Sequence, residues 1–323
     1  MRRCYSGPMT MPDHTNIENA ARIIREGGLV AMPTETVYGL AADATNDVAV
    51  ARIFDAKGRP QFNPLIIHVA GTDMAKRYVD LSPFAEKLMA AFWPGPLTLV
   101  LPRRKDGGVS LLVSAGLDTL GVRMPNHPLA QALITAVDRP LAAPSANRSG
   151  TISPTHAEHV KDSLGDKVDL ILDGGASPVG VESTIVKVAD DRVVMLRPGG
   201  VARADIERVI GAKLDNAGGG IEAPGMMASH YAPDASMRLN AREQKDGEAF
   251  LGFGDVKGEG RAALNLSGKG DVKEAAANLF AHLRALDRMA GEANLKVIAC
   301  APVPMEGLGE AINDRLARAA TPK

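Results

Sequence analysis

Cysteine is scarce in this chain: Cys4 and Cys300 are the two among 323 residues. They stand far apart with no metal-ligand spacing, which excludes a zinc ribbon or finger and fits a reduced, cytoplasmic setting. Aromatic residues make up 4%, so any core has to rest on Val, Leu, Ile, Ala and Met. Neither sign of charge is in excess: 37 Lys and Arg against 38 Asp and Glu leave a net charge of −1. A dedicated nucleic-acid binder normally carries a basic excess or stripe, so tight RNA binding by charge alone is disfavoured, while a local cationic pocket is not. No apolar run is long enough to cross a membrane and no signal-peptide core is visible. The P-loop signature, the nucleophile elbow, HExxH and CxxC are also missing.

What is present is an ordinary balance of 45% apolar and 23% charged residues, punctuated by 33 Gly and 21 Pro. The length favours two domains. Residues 1–14 read as a variable extension, with Met9 and Met11 as alternative starts. From 15 to 213 short apolar strands alternate with helical patterns. Helices are expected over 17–25, from the cap Asn46 or Asp47 to Lys57, over 83–92 and over 129–137. Strands are expected over 29–32, 65–69, 97–101, 141–144, 168–172, 183–188 and 193–196. That mixture predicts an α/β sheet covered by helices. Residues 214–236 lack periodicity and read as a long, functional linker. Residues 237–323 read as a second, small Rossmann-like α/β domain, without GxGxxG.

Chemistry-bearing residues recur at the ends of the expected strands, where open α/β sheets hold ligands. Thr34-Glu35-Thr36 follow the first strand, although hydroxyls there also serve plain turns. Lys57-Gly58-Arg59-Pro60 close a helix. Cations at that place often only complement the helix dipole, but Gly and Pro around Arg59 fix its fork for bidentate phosphate binding. His68 lies in an apolar strand, the setting of a satisfied core histidine. Trp93 between apolar and Pro-Gly residues reads as a packing corner. Arg123 ends another apolar strand. A charge there needs a partner, either Glu35 or a ligand carboxylate. Ser145 and Asn147 follow an extended segment, Glu182-Ser183 follow glycine-rich turns, and Arg197 is clamped by Pro198-Gly199-Gly200. A cavity lined by Arg59, Arg123, Arg197 and Lys57 would suit a polyanion such as ATP.

Taken together, PTETVYGL at 33–40, KGRP at 57–60, NPLIIH at 63–68, WPGPLT at 93–98, VRMP at 122–125, PSAN at 144–147, ESTIV at 182–186 and RPGG at 197–200 resemble the Sua5/YrdC family. The stretch 224–233 and the domain behind it resemble the longer Sua5 form. The resemblance implies a twisted, concave YrdC-like α/β domain followed by the small domain. It implies a nucleotidyltransferase that joins L-threonine, bicarbonate and ATP into threonylcarbamoyl-adenylate and pyrophosphate. ATP would be substrate with Mg2+ accompanying it, and tRNA and a threonylcarbamoyl-transferase complex would lie downstream, in t6A formation. Carried over position by position, Thr36, His68, Arg123, Ser183 and the backbone of Ala143 would contact threonine. Arg59, Asn63, Thr119, Ser145, Ser153, Arg197 and Tyr231 would contact the nucleotide. Lys57 and Arg59 would be the catalytic cations, and the linker would close over the site. Where some relatives carry a linker Lys or Arg, Met227-Ala228-Ser229 stand here.

Three rival readings keep the fold and change the role. An RNA-binding module would bind tRNA without consuming ATP, against which the neutral charge counts. A YciO-like paralogue would lack the full motif set and the tail. A carbamoyl-transfer domain of hydrogenase maturation factors would bring acylphosphatase and zinc-finger segments that are missing here.

Overall fold

A computed structural model describes residues 14–189, 192–220, 222–227 and 230–321. Cys4, Met9, Met11, Ala228 and Ser229 lie outside the described residues. The chain opens with α1 (His14–Arg25), β1 (Val30–Met32), β2 (Gly39–Asp43), α2 (Asp47–Lys57) and β3 (Ile66–His68). Then come α3 (Thr72–Ala75), α4 (Pro83–Phe92), β4 (Leu97–Pro102), α5 (Leu111–Ser114), β5 (Thr119–Arg123), α6 (Pro128–Val137) and β6 (Leu141–Ala142). The first domain ends with α7 (Ala157–Leu164), β7 (Leu170–Ile171), β8 (Thr184–Val188), β9 (Val193–Arg197), α8 (Arg203–Ile210) and β10 (Asp215–Asn216). The second holds β11 (Ser236–Arg238), β12 (Glu248–Gly252), β13 (Ala263–Asn265), α9 (Val272–Glu292), β14 (Val297–Cys300) and α10 (Gly309–Ala320).

Local chemistry sets several of these boundaries. Asn46 caps α2 by accepting from the Val48 and Ala49 amides. Ser82 does the same for α4, with Pro83 in its first turn. Asp271 caps α9. Each satisfies amides that a helix start leaves without partners.

The large sheet is mixed, in the order β10-β9-β8-β4-β5-β3-β6-β2-β1-β7. Side chains alternate across it. Ile67, Leu97, Leu99, Leu101, Leu120, Val122, Val186, Val193 and Met195 join the main core with residues of α1, α2, α4, α6 and α8. Ile66, Val100, Ile185 and Leu196 form a separate apolar cluster with Ala223, against which Met226 packs. That second face carries the site.

The expected linker shortens at its start. Leu214 is buried in the first core, and β10 pairs in parallel with β9. A strand of two exposed residues is too short to show alternation. The small sheet is parallel throughout, in the order β11-β14-β12-β13, as a Rossmann-like domain requires.

The two domains share a core. Val37, Ile152 and Val181 of the first pack with Phe250, Phe280 and Leu316 of the second. Gly180 lies against α9 so closely that a Cβ would fall 2.3 Å from the Ala276 carbonyl oxygen. Arg284 donates to the Ile152 carbonyl, and Arg203 pairs with Glu310 at 2.8 Å.

Candidate functional site

A cavity opens on the second face of the large sheet. Its floor comes from Ile66 and His68 of β3 and Arg123 of β5, and its sides from the β1–β2 turn and the loops after β6 and before β8. Pro224, Gly225, His230 and Tyr231 of the linker close it over.

The first end is built around Arg123, which is 4% exposed. Its Nη1 donates to Thr36 Oγ1 at 2.9 Å and its Nε to the Gly95 carbonyl at 3.3 Å. Nη2 stands 2.7 Å from Glu35 Oε1, an ion pair without hydrogen-bond alignment. The sequence left Glu35 and a ligand as alternative partners, and the chain itself supplies Glu35. The β1–β2 turn is held by Thr34, whose hydroxyl accepts from the Thr36 and Val37 amides and donates to the Val37 carbonyl. His68 adjoins Arg123. Burial, reinforced by Arg123, pulls its imidazole down to about 3, so it is neutral at physiological pH. Its Nδ1 has no hydrogen-bond partner among the described residues. Ser183 Oγ lies 2.8 Å from Thr98 Oγ1.

The other end carries two more arginines. Arg59 follows the left-handed Gly58 cap of α2 and donates to the Asn63 and Pro64 carbonyls at 3.1 and 2.8 Å. Burial, with Arg197 adding to it, draws its guanidinium down to about 10, still protonated at neutral pH. Arg197 ends β9 and donates to the Ser183 carbonyl at 2.8 Å and the Pro224 carbonyl at 3.1 Å. Glu182 is the carboxylate of the lining, and it is already engaged. Ser153 Oγ donates to it at 2.6 Å and Arg315 Nε at 2.9 Å. Burial alone would raise its carboxyl, but Arg315 and Arg197 hold it at about 2. Three arginines thus face one neutralised carboxylate in a buried space, an arrangement that suits an anionic ligand.

Thr36, Arg59, His68, Arg123, Ala143, Ser145, Ser183, Arg197 and Tyr231 all line this cavity. Four expected contacts do not. Lys57 is buried, with its ammonium on the Ser145 and Asn147 carbonyls, so it shapes the loop after β6. Asn63 lies under the linker and donates to Met227 Sδ. Ser153 supports Glu182 from behind. Thr119 sits at the other end of β5 from Arg123, in a surface recess with Asp80, Ser82 and Lys187. Sequence reasoning named Glu182 without giving it a role and passed over His230 and Arg315. His230 stood inside a quoted stretch; Arg315, on the last helix, carried no local signal.

Comparisons with known proteins place most of the chain beside one family. The Sua5/YciO/YrdC family model, described as telomere recombination, matches residues 22–199. A model of the C-terminal domain of threonylcarbamoyl-AMP synthase matches residues 201–321. The chain is 42% identical to the threonylcarbamoyl-AMP synthase of Pyrococcus abyssi, covering 94% of this chain and 93% of the relative. Against that of Bacillus subtilis the identity is 41%, covering 94% and 92%. A crystal structure of Pyrococcus abyssi Sua5 complexed with L-threonine superposes with a TM-score of 0.84 at 41% identity, covering 94% of each chain.

Proposed function

Since the chain belongs to the Sua5/YrdC family, we propose that its cavity makes threonylcarbamoyl-AMP from L-threonine, bicarbonate and ATP, with release of pyrophosphate. The observation that carries this reading is the set of three buried arginines, Arg59, Arg123 and Arg197, around a carboxylate that is already paired. Threonine belongs at the Arg123 end. There a guanidinium fixed by Glu35 and Thr36 suits its carboxylate, and His68 Nδ1, Ser183 and the Ala143 backbone suit its other polar atoms. The nucleotide belongs at the Arg59–Arg197 end, with Ser145 beside it and Tyr231 over it.

The threonine amine, as the free base, attacks the bicarbonate carbon. A carbamate forms and water leaves. A carbamate oxygen then attacks the α-phosphorus of ATP, the bond to the β-phosphate oxygen breaks, and pyrophosphate departs. This is nucleotidyl transfer. Arg59 and Arg197 stabilise the charge that builds on the transferring group and on the leaving pyrophosphate. Lys57 acts one step back, by holding the Ser145 loop. A carbamate decomposes in water, so the linker residues over the cavity serve to exclude it. Asn63 and Ser153 support the linker and Glu182, and Thr119 contributes only if the nucleotide extends along β5.

Among the described residues no group of three His, Cys, Asp or Glu is placed to hold a metal ion, and Glu182 is taken by Ser153 and Arg315. Mg2+ is expected to accompany the ATP substrate on its phosphates. The adenylate would pass to a transferase complex acting on tRNA. No helix of the described residues is long and apolar enough to cross a membrane.

The test is incorporation of label from bicarbonate into an adenylate, with and without L-threonine. Labelled adenylate that requires threonine supports the reading. A folded chain that binds tRNA but forms no adenylate overturns it.

A further inference from the structure

Arg315 is the largest fully buried side chain of the described residues and belongs to α10, at the far end of the chain from the cavity motifs. Its contacts to Glu182, Pro198 and Tyr231 lead back to the cavity. Nε donates to Glu182 at 2.9 Å. Nη1 donates to the Pro198 carbonyl at 2.8 Å, next to Arg197, and to its neighbour Asp314. Its guanidinium carbon lies 5.4 Å from the centre of the Tyr231 ring. The backbones it ties together are themselves in tight contact. A Cβ at Gly199 would fall 2.4 Å from Glu182 and Ser183 backbone atoms.

We propose that Arg315 is a positioning residue for the nucleotide end, supplied by the second domain to the site of the first. The proposal rests on the reading that this end takes ATP. Glu182 lines the cavity beside Arg197. Left without a partner, its carboxylate would repel phosphates and would draw the Arg197 guanidinium onto itself. Arg315 removes both effects by holding Glu182 from behind. The guanidinium fork lets one side chain reach the carboxylate and the Pro198 carbonyl at once, while the charge it sets against Glu182 is what the nucleotide end requires. The cation–π contact to Tyr231 places that ring over the same end. The second domain is thereby part of the site: it sets the charge of one wall.

The experiment is charge rescue in the full-length chain. ATP and L-threonine binding are measured by calorimetry, and KM and kcat by pyrophosphate release. R315M is expected to weaken ATP binding about tenfold or more while threonine binding moves little, since one partner of a buried pair is lost. Adding E182Q removes the uncompensated charge, and the R315M/E182Q chain is expected to return to within about threefold of the parent. R315K keeps charge without the fork and should lie between. If R315M does not fold, the double variant and R315K carry the test. A folded double variant that still binds ATP about tenfold more weakly than the parent overturns the proposal. So does an equal loss of threonine and ATP affinity. A parent chain that binds no ATP overturns the proposed function and this inference together. A parent that binds ATP, with no rescue by E182Q, overturns this inference alone.

Discussion

Two imidazoles, those of His68 and His230, are buried among guanidinium groups, and burial above all draws each down to about 3 from an ordinary 6.5. Unfolded, both would take up a proton near pH 6.5; folded, they resist it until the pH is far lower. Their contribution to stability is therefore fully present above about pH 6.5 and is lost as the pH falls through the window toward about 3, by up to ~1.4 kcal/mol per pH unit for each group. Glu182 acts in a lower window. Its carboxyl is held at about 2 against an ordinary 4.5, so its share is present above 4.5 and is lost only below it. Denaturant midpoints should fall between about pH 7 and about pH 5, and H68Q should flatten that slope. A midpoint that does not move over this range would show that the imidazoles are not held neutral. The same burial decides what could be read from residues alone. Arg123 was legible as a charge that ends an apolar strand and must find a partner, and Arg59 and Arg197 as cations held by neighbouring Gly and Pro residues. Arg315 was not, since its partner Glu182 lies 133 positions away. Lys57 was legible as important, but its carbonyl partners show only in three dimensions.

At the scale of elements, the linker acts as a fitted cover. Ala223 and Met226 pack on Ile66, Val100, Ile185 and Leu196, and Lys187 pairs with Glu222. From α10, Arg318 donates to the Met227 carbonyl at 2.6 Å and accepts from the His230 amide. Gly225 is the pivot of this cover. Its φ is +80°, and a Cβ there would lie 2.9 Å from Tyr231 Oη and 3.0 Å from Arg197 Cδ. G225A combines left-handed strain with displacement of the cover from Arg197. Nucleotide affinity is expected to fall about tenfold, with thermal stability lowered by no more than a few degrees. Unchanged affinity in calorimetry would show that the cover does not bear on the nucleotide end. Elements with strong periodicity were legible, such as α4, whose span matched its expectation from Pro83 to Phe92. Others carried no such signal. β2 (Gly39–Asp43) is buried along its whole length and shows no alternation. α7 and α8 are mostly polar, with two buried residues each, so the apolar stripe that marks a helix is too thin to read.

At the scale of the whole molecule, the neutral net charge conceals a strongly uneven distribution. The cavity lining brings Arg59, Arg123 and Arg197 together with one carboxylate, Glu182, which is paired with Arg315, while Glu35 pairs with Arg123 beside it. The shared core through Val37, Ile152 and Val181 holds the second domain against the first. The cavity therefore has one wall that depends on the far end of the chain. Composition disfavoured tight RNA binding by charge alone, but it could not show this wall. The proposed function requires this cationic space to direct a carbamate to the α-phosphorus of ATP. The most direct measurement supplies ATP labelled at the α-phosphorus together with L-threonine and bicarbonate, and follows where the label goes. Label is expected in a threonine-containing adenylate, with pyrophosphate released in equal amount. Label recovered in ADP, with inorganic phosphate in place of pyrophosphate, would contradict that function.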